Sequence, residues 1–199
     1  SLDQKVSDFI PEYKNSENET ITIRNVLTMS SGLNWQESYS SPFSLTTRAY
    51  YGEDVNGLIR GLKRTSEPGR KHIYLSGDTQ LLSMIVEAAT GKHLADYASE
   101  KLWKPMGARY PAYWCLDRKD GDEKAYCCFN SNAPDFARFG QLILNKGKWN
   151  GRQLISEEYM KQALAPALHL TDEDGKKTDY YGFQWWMMKY KGMDIKFAR

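Results

Sequence analysis

Apolar positions recur at helical spacing through the middle of the chain. Val55, Leu58, Ile59 and Leu62 fall at i, i+3, i+4 and i+7, which places them on one face of an amphipathic helix. Leu81, Leu82, Ile85, Val86 and Ala89 mark a longer face. Gly91 is placed to stop that helix, and Ser76 or Asp78 stands where its N-cap belongs. A further face carries Leu94, Tyr97, Ala98 and Leu102 and is closed by Pro105 and Gly107. Pro134 suits the first turn of a helix bearing Phe136, Phe139, Ile143 and Leu144, with Gly147 at its end. Ser156 opens another helix that stops at Pro166. Nearer the start, Thr22 caps a short helix with Ile23, Val26 and Leu27, and Gly32 is its expected left-handed terminator.

Elsewhere the helical period is lost. Segments 110–116 and 124–129 are short and aromatic and flank Asp120-Gly121, a hairpin pattern. Segments 180–188 and 193–198 have strand composition. Residues 34–51 are rich in Ser, Thr and Tyr, show no helical period, and are predicted to form a long surface loop of the kind that commonly carries function. Pro68-Gly69 breaks the chain sharply. Helices dominate the middle and strands appear only near the end, the pattern of a mixed, mainly helical domain. No internal repeat or low-complexity tract interrupts it.

Composition narrows the function classes. A chain of 199 residues is sized for one domain. Its 13% aromatic content is foreign to disordered segments. No run approaches the roughly 18 apolar residues of a membrane span. The 27 basic and 25 acidic residues are interspersed, giving +2, which points to neither a nucleic-acid nor a membrane-surface partner. Cys115, Cys127 and Cys128 are too few for a disulfide framework and are expected as buried free thiols. His72, His93 and His169 lie far apart and lack metal-ligand spacing, so no metal is expected. The chain starts at Ser1 without a leader, and its last strands want partners, so a piece of a longer protein is expected. Its compartment and oligomeric state are left open.

The common nucleophile and phosphate motifs are missing. There is no Gly-x-Ser-x-Gly and no Gly-x-x-x-x-Gly-Lys-Ser/Thr, and no serine has a lysine three residues on. Three other blocks stand out. The first is Ile21-Thr22-Ile23-Arg24-Asn25-Val26-Leu27-Thr28-Met29-Ser30-Ser31-Gly32-Leu33. The second is Pro68-Gly69-Arg70-Lys71-His72-Ile73-Tyr74-Leu75-Ser76-Gly77-Asp78-Thr79-Gln80-Leu81-Leu82, with Ala88-Ala89-Thr90-Gly91 ending its helix. The third is Asp135-Phe136-Ala137-Arg138-Phe139-Gly140.

In this order the blocks resemble the serine hydrolases related to class C β-lactamases and penicillin-binding proteins. Tyr74-Leu75-Ser76, Glu37-Ser38-Tyr39-Ser40-Ser41-Pro42 and Gln184-Trp185-Trp186 look like the 6-aminohexanoate-dimer hydrolase branch. The resemblance implies an α+β fold, a partial β-lactamase/transpeptidase-like domain over residues 1–199 made of a helical subdomain with part of an antiparallel sheet. It also implies cleavage of an amide or ester through an acyl-enzyme, on a small-molecule or peptide substrate, with no cofactor. Tyr74 is then the general base and acid, Ser76 its hydrogen-bonding partner, and Tyr39, Trp35 and Trp186 the substrate contacts.

The chemistry of these types is coherent. A serine hydroxyl needs a base, and a phenol of pKa about 10 becomes one when ammonium groups favour its phenolate. Ser76, two residues after Tyr74 in an extended stretch, points to the same side. The same residues have a plainer reading: Tyr74 as an amphipathic residue at a strand-to-helix junction, and Ser76 as a cap. On the family pattern the Ser-x-x-Lys helix and the Lys-Thr-Gly-like strand fall outside this chain, so it is expected to be catalytically silent. Lys119-Asp120-Gly121 looks like Lys-Thr-Gly but precedes the Asp135 helix, the wrong order. The alternative is a non-catalytic homologue that binds a peptide or cell-wall fragment, and a Ser-x-x-Lys in the parent protein separates the two.

Overall fold

Residues 1–198 are described by the computed structural model. Two 3₁₀ turns, Val6–Asp8 and Pro11–Tyr13, lead into α1 (Ile23–Leu27), α2 (Leu45–Tyr51), α3 (Val55–Arg60), α4 (Ser76–Thr90) and α5 (Leu94–Ala98). A π-helical turn at Ser99–Trp103 continues α5. Strands β1 (Tyr113–Trp114) and β2 (Phe129–Asn130) precede α6 (Ala133–Leu144). Then come β3 (Lys148–Trp149), β4 (Arg152–Gln153), α7 (Glu157–Ala163), β5 (Trp186–Tyr190) and β6 (Met193–Phe197). The strands form three separate antiparallel pairs, β1–β2, β3–β4 and β5–β6, the last in register Trp186↔Phe197 to Tyr190↔Met193. The result is the expected α+β mixture of helices with small antiparallel sheets.

Helix α4 is the spine. Leu81, Met84 and Ile85 on its inner face join Val26 and Met29 from the α1 region and Val55, Ile59 and Leu62 from the α3 region in one buried core. Leu81 and Ile85 of the stripe read from the sequence lie on this face, but Met84 joins them there, Leu82 and Val86 are only half-buried and Ala89 is exposed. Gly91, at φ +67, ends the helix as expected, because a left-handed C-terminal residue is cheap only for glycine. Its start differs from expectation. Leu75 is the N-cap residue and makes no side-chain cap, so Ser76 and Asp78 lie inside the first turn. The N–H of Ser76 donates instead to a carboxylate from a distant loop, Glu37.

Other boundaries follow local chemistry. Thr22 and Asn25 form a reciprocal capping box at α1. The left-handed residue that directly follows the Thr28 cap of α1 is Met29, at φ +53; Gly32, also at positive φ, comes three residues later. Gly32 serves a close approach instead, since a Cβ there would stand 2.4 Å from the Ser66 carbonyl oxygen. Part of the predicted 34–51 loop is helical. In α2 the buried positions are Thr46 and Ala49, too polar and too small to write an apolar period, and Ser44 caps its start. The hairpin around Asp120-Gly121 is present, with Tyr113↔Asn130 and Trp114↔Phe129 paired. A further hairpin, β3–β4, turns on Asn150 and Gly151, both at positive φ, a two-residue turn signal that the sequence carries.

The cysteine expectation is corrected. Cys127 and Cys128 are joined by a disulfide, in a turn where Cys128 sits at φ +67, and Cys115 is free but exposed. Among the described residues, no helix is long and apolar enough to cross a membrane.

One buried charge site sets a pH dependence. Asp78 is fully buried, accepts from the Ser31 hydroxyl at 2.6 Å through Oδ1, and its Oδ2 has no hydrogen-bond partner. Burial pushes its carboxyl up to about 8, against the pull of Ser31. The folded state therefore holds a proton that an unfolded aspartate, with pKa about 3.9, releases earlier. This contribution is complete below about pH 4 and is lost as pH rises towards 8. In thermal melts at pH 5 and pH 9, Asp78→Asn should gain on wild type at the higher pH. An equal difference at both values would contradict the buried, protonated acid.

Candidate functional site

The extended segment 71–75 carries Tyr74 into α4 and is pinned on both sides. The His72 N–H donates to the Thr171 carbonyl at 2.8 Å, and the Ile73 N–H to the Met29 carbonyl at 2.9 Å. Alternation along an extended chain then separates the side chains. Ile73 and Leu75 line a cavity of about 290 Å³ together with Met29, Leu33, Trp35 and Lys71. Tyr74 faces the other way, into a group of rings.

That group is built by the last third of the chain. Tyr74 lies 5.4 Å from Trp186 and edge-on to Tyr181 at 6.5 Å, centroid to centroid. Trp186 also stacks on Tyr180 at 6.3 Å and on Phe197 across the β5–β6 pair at 6.5 Å. Gln184 sets the position of this wall. At φ +62 its N–H donates to the Leu27 carbonyl at 3.0 Å, and its Oε1 accepts from the Thr79 hydroxyl of α4 at 2.8 Å. Beneath the wall, buried His72 packs on Tyr181 at 4.6 Å and meets the Thr28 carbonyl through Nδ1 at 3.1 Å, with burial lowering its pKa.

The other side is organised by Glu37. Its Oε1 accepts from the Trp35 indole N–H at 2.9 Å and from the Ser76 backbone N–H, and its Oε2 accepts from the Tyr39 hydroxyl at 3.0 Å. Tyr39 is 78% exposed as a residue, yet its hydroxyl sits beside Glu37, Ser76 and Tyr74. Desolvation of that hydroxyl, then the Glu37 carboxylate, raise its pKa, while the Ser76 side chain pulls the other way. Tyr39 is thus a neutral phenol with its ring in solvent.

Four of the five residues singled out from the sequence come together here as two pairs: the Tyr74 and Trp186 rings pack on each other, and the Tyr39 hydroxyl lies by Ser76, within electrostatic reach of Tyr74. Trp35 lies deeper, at 4% exposure, and supports the group from below. Its ring rests on the first turn of α4 at Gly77, where a Cβ would stand 2.8 Å from the indole Cε3. Glu37 belongs to the loop motif, but sequence reasoning assigned it no role. The signal for one is present: in Trp35-x-Glu37-x-Tyr39 a carboxylate stands two residues from each of two aromatic donors, so an extended chain turns all three to one side.

Comparison with known proteins adds a family to this geometry. The profile of the Beta-lactamase family matches residues 1–197. The 6-aminohexanoate-dimer hydrolase of Paenarthrobacter ureafaciens is 26% identical over 199 aligned residues, covering 92% of this chain and 50% of that protein. An Escherichia coli K12 protein provisionally assigned as a D-alanyl-D-alanine carboxypeptidase is 27% identical over 80% of this chain and 48% of its own length. A Bacillus anthracis structure, provisionally assigned as a 6-aminohexanoate-dimer hydrolase, superposes with a TM-score of 0.81 at 26% identity, over 96% of this chain and 53% of that one. The chain spans about half the length of the curated relatives it matches.

The Glu37 contacts carry two expectations. Glu37→Ala strands the indole and Ser76 donors and should destabilise the fold by about 2–3 kcal/mol, read from urea unfolding. Gly77→Ala drives a methyl into an indole that Glu37 tethers, and about 1–3 kcal/mol of destabilisation with an altered tryptophan near-UV signal should follow. Unchanged unfolding midpoints in both variants would show that Trp35 is not held in this way.

Proposed function

From the premise that this chain belongs to the beta-lactamase family, we propose that it carries the tyrosine side of a serine-hydrolase centre, cleaving an amide or ester through an acyl-enzyme. The observation that supports this reading best is the junction at the start of α4, where Glu37 gathers Tyr39 and Ser76 beside Tyr74. In this reading Tyr74 takes the proton from an attacking serine and returns it to the leaving group. The Ser76 hydroxyl orients that exchange. Tyr39, a neutral donor on an exposed ring, closes over the bound carbonyl compound, and Trp186 forms the apolar wall against its carbon chain. The likeness to 6-aminohexanoate-dimer hydrolases favours a linear amide substrate.

The serine to be acylated is not placed among these residues, because no Ser-x-x-Lys occurs in the 199-residue sequence. The lysine of such a motif would also supply the positive charge that brings a phenol of pKa about 10 towards neutrality. The reading therefore needs both groups from outside these 199 residues.

The test has two arms. The 199-residue chain should neither turn over a chromogenic ester nor take up a serine-directed phosphonate probe. In a protein that joins these residues to a Ser-x-x-Lys helix, both signals should appear. There Tyr74→Phe should lower kcat by roughly a hundredfold or more, the usual contribution of general acid–base catalysis, with KM little changed. Stoichiometric labelling of the isolated chain would show that the nucleophile lies within it. A joined protein that binds amides without turnover would instead be a binding homologue.

A further inference from the structure

A second cluster of reactive side chains lies at the opposite end of α4, roughly 16 Å along the helix from Ser76. Glu87 in the last turns of α4, His93 just before α5 and Glu123 in the return arm of the β1–β2 connection each place one ligating atom within 4.8 Å of the other two. His93 Nδ1 is 3.9 Å from Glu87 Oε1. Backbone donors orient both carboxylates, the Leu94 N–H at 3.2 Å on Glu87 Oε1 and the Ala95 N–H at 2.9 Å on Glu123 Oε1.

These contacts leave part of the charge unanswered. Glu123 is only 4% exposed, and its second oxygen, Oε2, is buried with no hydrogen-bond partner. The carboxyl it lies against is Glu87, and Asp122 adds a further negative charge nearby. A buried carboxylate oxygen without a donor is costly, and a second carboxylate beside it raises the cost. A cation removes both penalties at once.

We propose that Glu87, His93 and Glu123 form a binding site for a divalent transition-metal ion of the Zn²⁺ type. One imidazole with two carboxylates suits Zn²⁺ better than Ca²⁺ or Mg²⁺, which prefer oxygen-only shells. Zinc bonds of about 2.0–2.2 Å place ligand atoms roughly 3.4 Å apart in a tetrahedron, so the trio must close from its present spacing. His93, exposed and outside any strand or helix, supplies that movement by rotating its side chain. Its exposure also leaves the fourth position open to water. The ion would tie the end of α4, the start of α5 and the β1–β2 connection together, a stabilising role that is independent of the hydrolase reading.

The experiment is a Zn²⁺ titration of tag-free protein stripped with a chelator, followed by calorimetry and thermal melting. One Zn²⁺ per chain should bind, and the melting midpoint should rise by roughly 5–10 °C at a hundredfold excess over Kd, with no rise for Ca²⁺ at the same concentrations. Glu123→Gln keeps the acceptor for the Ala95 N–H but removes the carboxylate charge, and should weaken binding at least tenfold. His93→Ala removes an exposed side chain that the fold does not need, so it decides the matter even where Glu123→Gln fails to fold. No saturable one-to-one binding to the wild type, or unchanged affinity in His93→Ala, would overturn the site.

Discussion

The Glu37 carboxylate accepts from three donors drawn from two distant segments, and the arrangement around Tyr74 depends on it. One oxygen takes the Trp35 indole and the first N–H of α4, and the other takes the Tyr39 phenol. Helix starts leave backbone donors unsatisfied, and a negative charge there is doubly favoured by hydrogen bonding and by the helix dipole. In α4 no neighbouring side chain fills that need, so the loop must come to the helix. The same contact that completes the helix therefore delivers Tyr39 to Ser76 and Tyr74. Stability and site geometry are one constraint at this point.

The opposing wall is held by a comparable device. Gln184 adopts a left-handed backbone, bonds the carbonyl of Leu27 and takes the Thr79 hydroxyl, so one residue fastens the C-terminal hairpin to both α1 and α4. Trp186, two residues on, packs against Tyr74 as well as Tyr180, Tyr181 and Phe197. Asp78, in the first turn of α4, works in the opposite sense. It ties Ser31 to the helix but buries an acid whose second oxygen has no partner, and the raised pKa follows from that burial.

The two ends of α4 thus face different chemical problems. At its start, unsatisfied donors are met by a carboxylate from afar. At its end, two carboxylates meet with too few donors between them, and the deficit falls on the buried oxygen of Glu123. Neither problem is visible from α4 alone, because the partners come from loops on either side of it in sequence.

What the sequence determined by itself was local. The buried Leu81 and Ile85 of α4, its glycine stop at Gly91, the Thr22 cap, the Pro134 helix start and the strand character of 186–188 and 193–197 all follow from neighbouring residues, whose spacing is fixed by backbone geometry, whereas residues 180–185 of the predicted strand form no regular strand. The motif blocks around Tyr74 and Ser76 were legible for the same reason. Tertiary structure decided whatever needed a distant partner. Helix α2 hides its period because it buries Thr46 and Ala49. Gly32 answers to the Ser66 backbone rather than to α1, and Ser76 loses its capping role to Glu37. His93 lacked ligand spacing in sequence because its companions lie on α4 and beyond β1. Spacing along a chain reports only contacts within one element, and the charges that set this site meet across several.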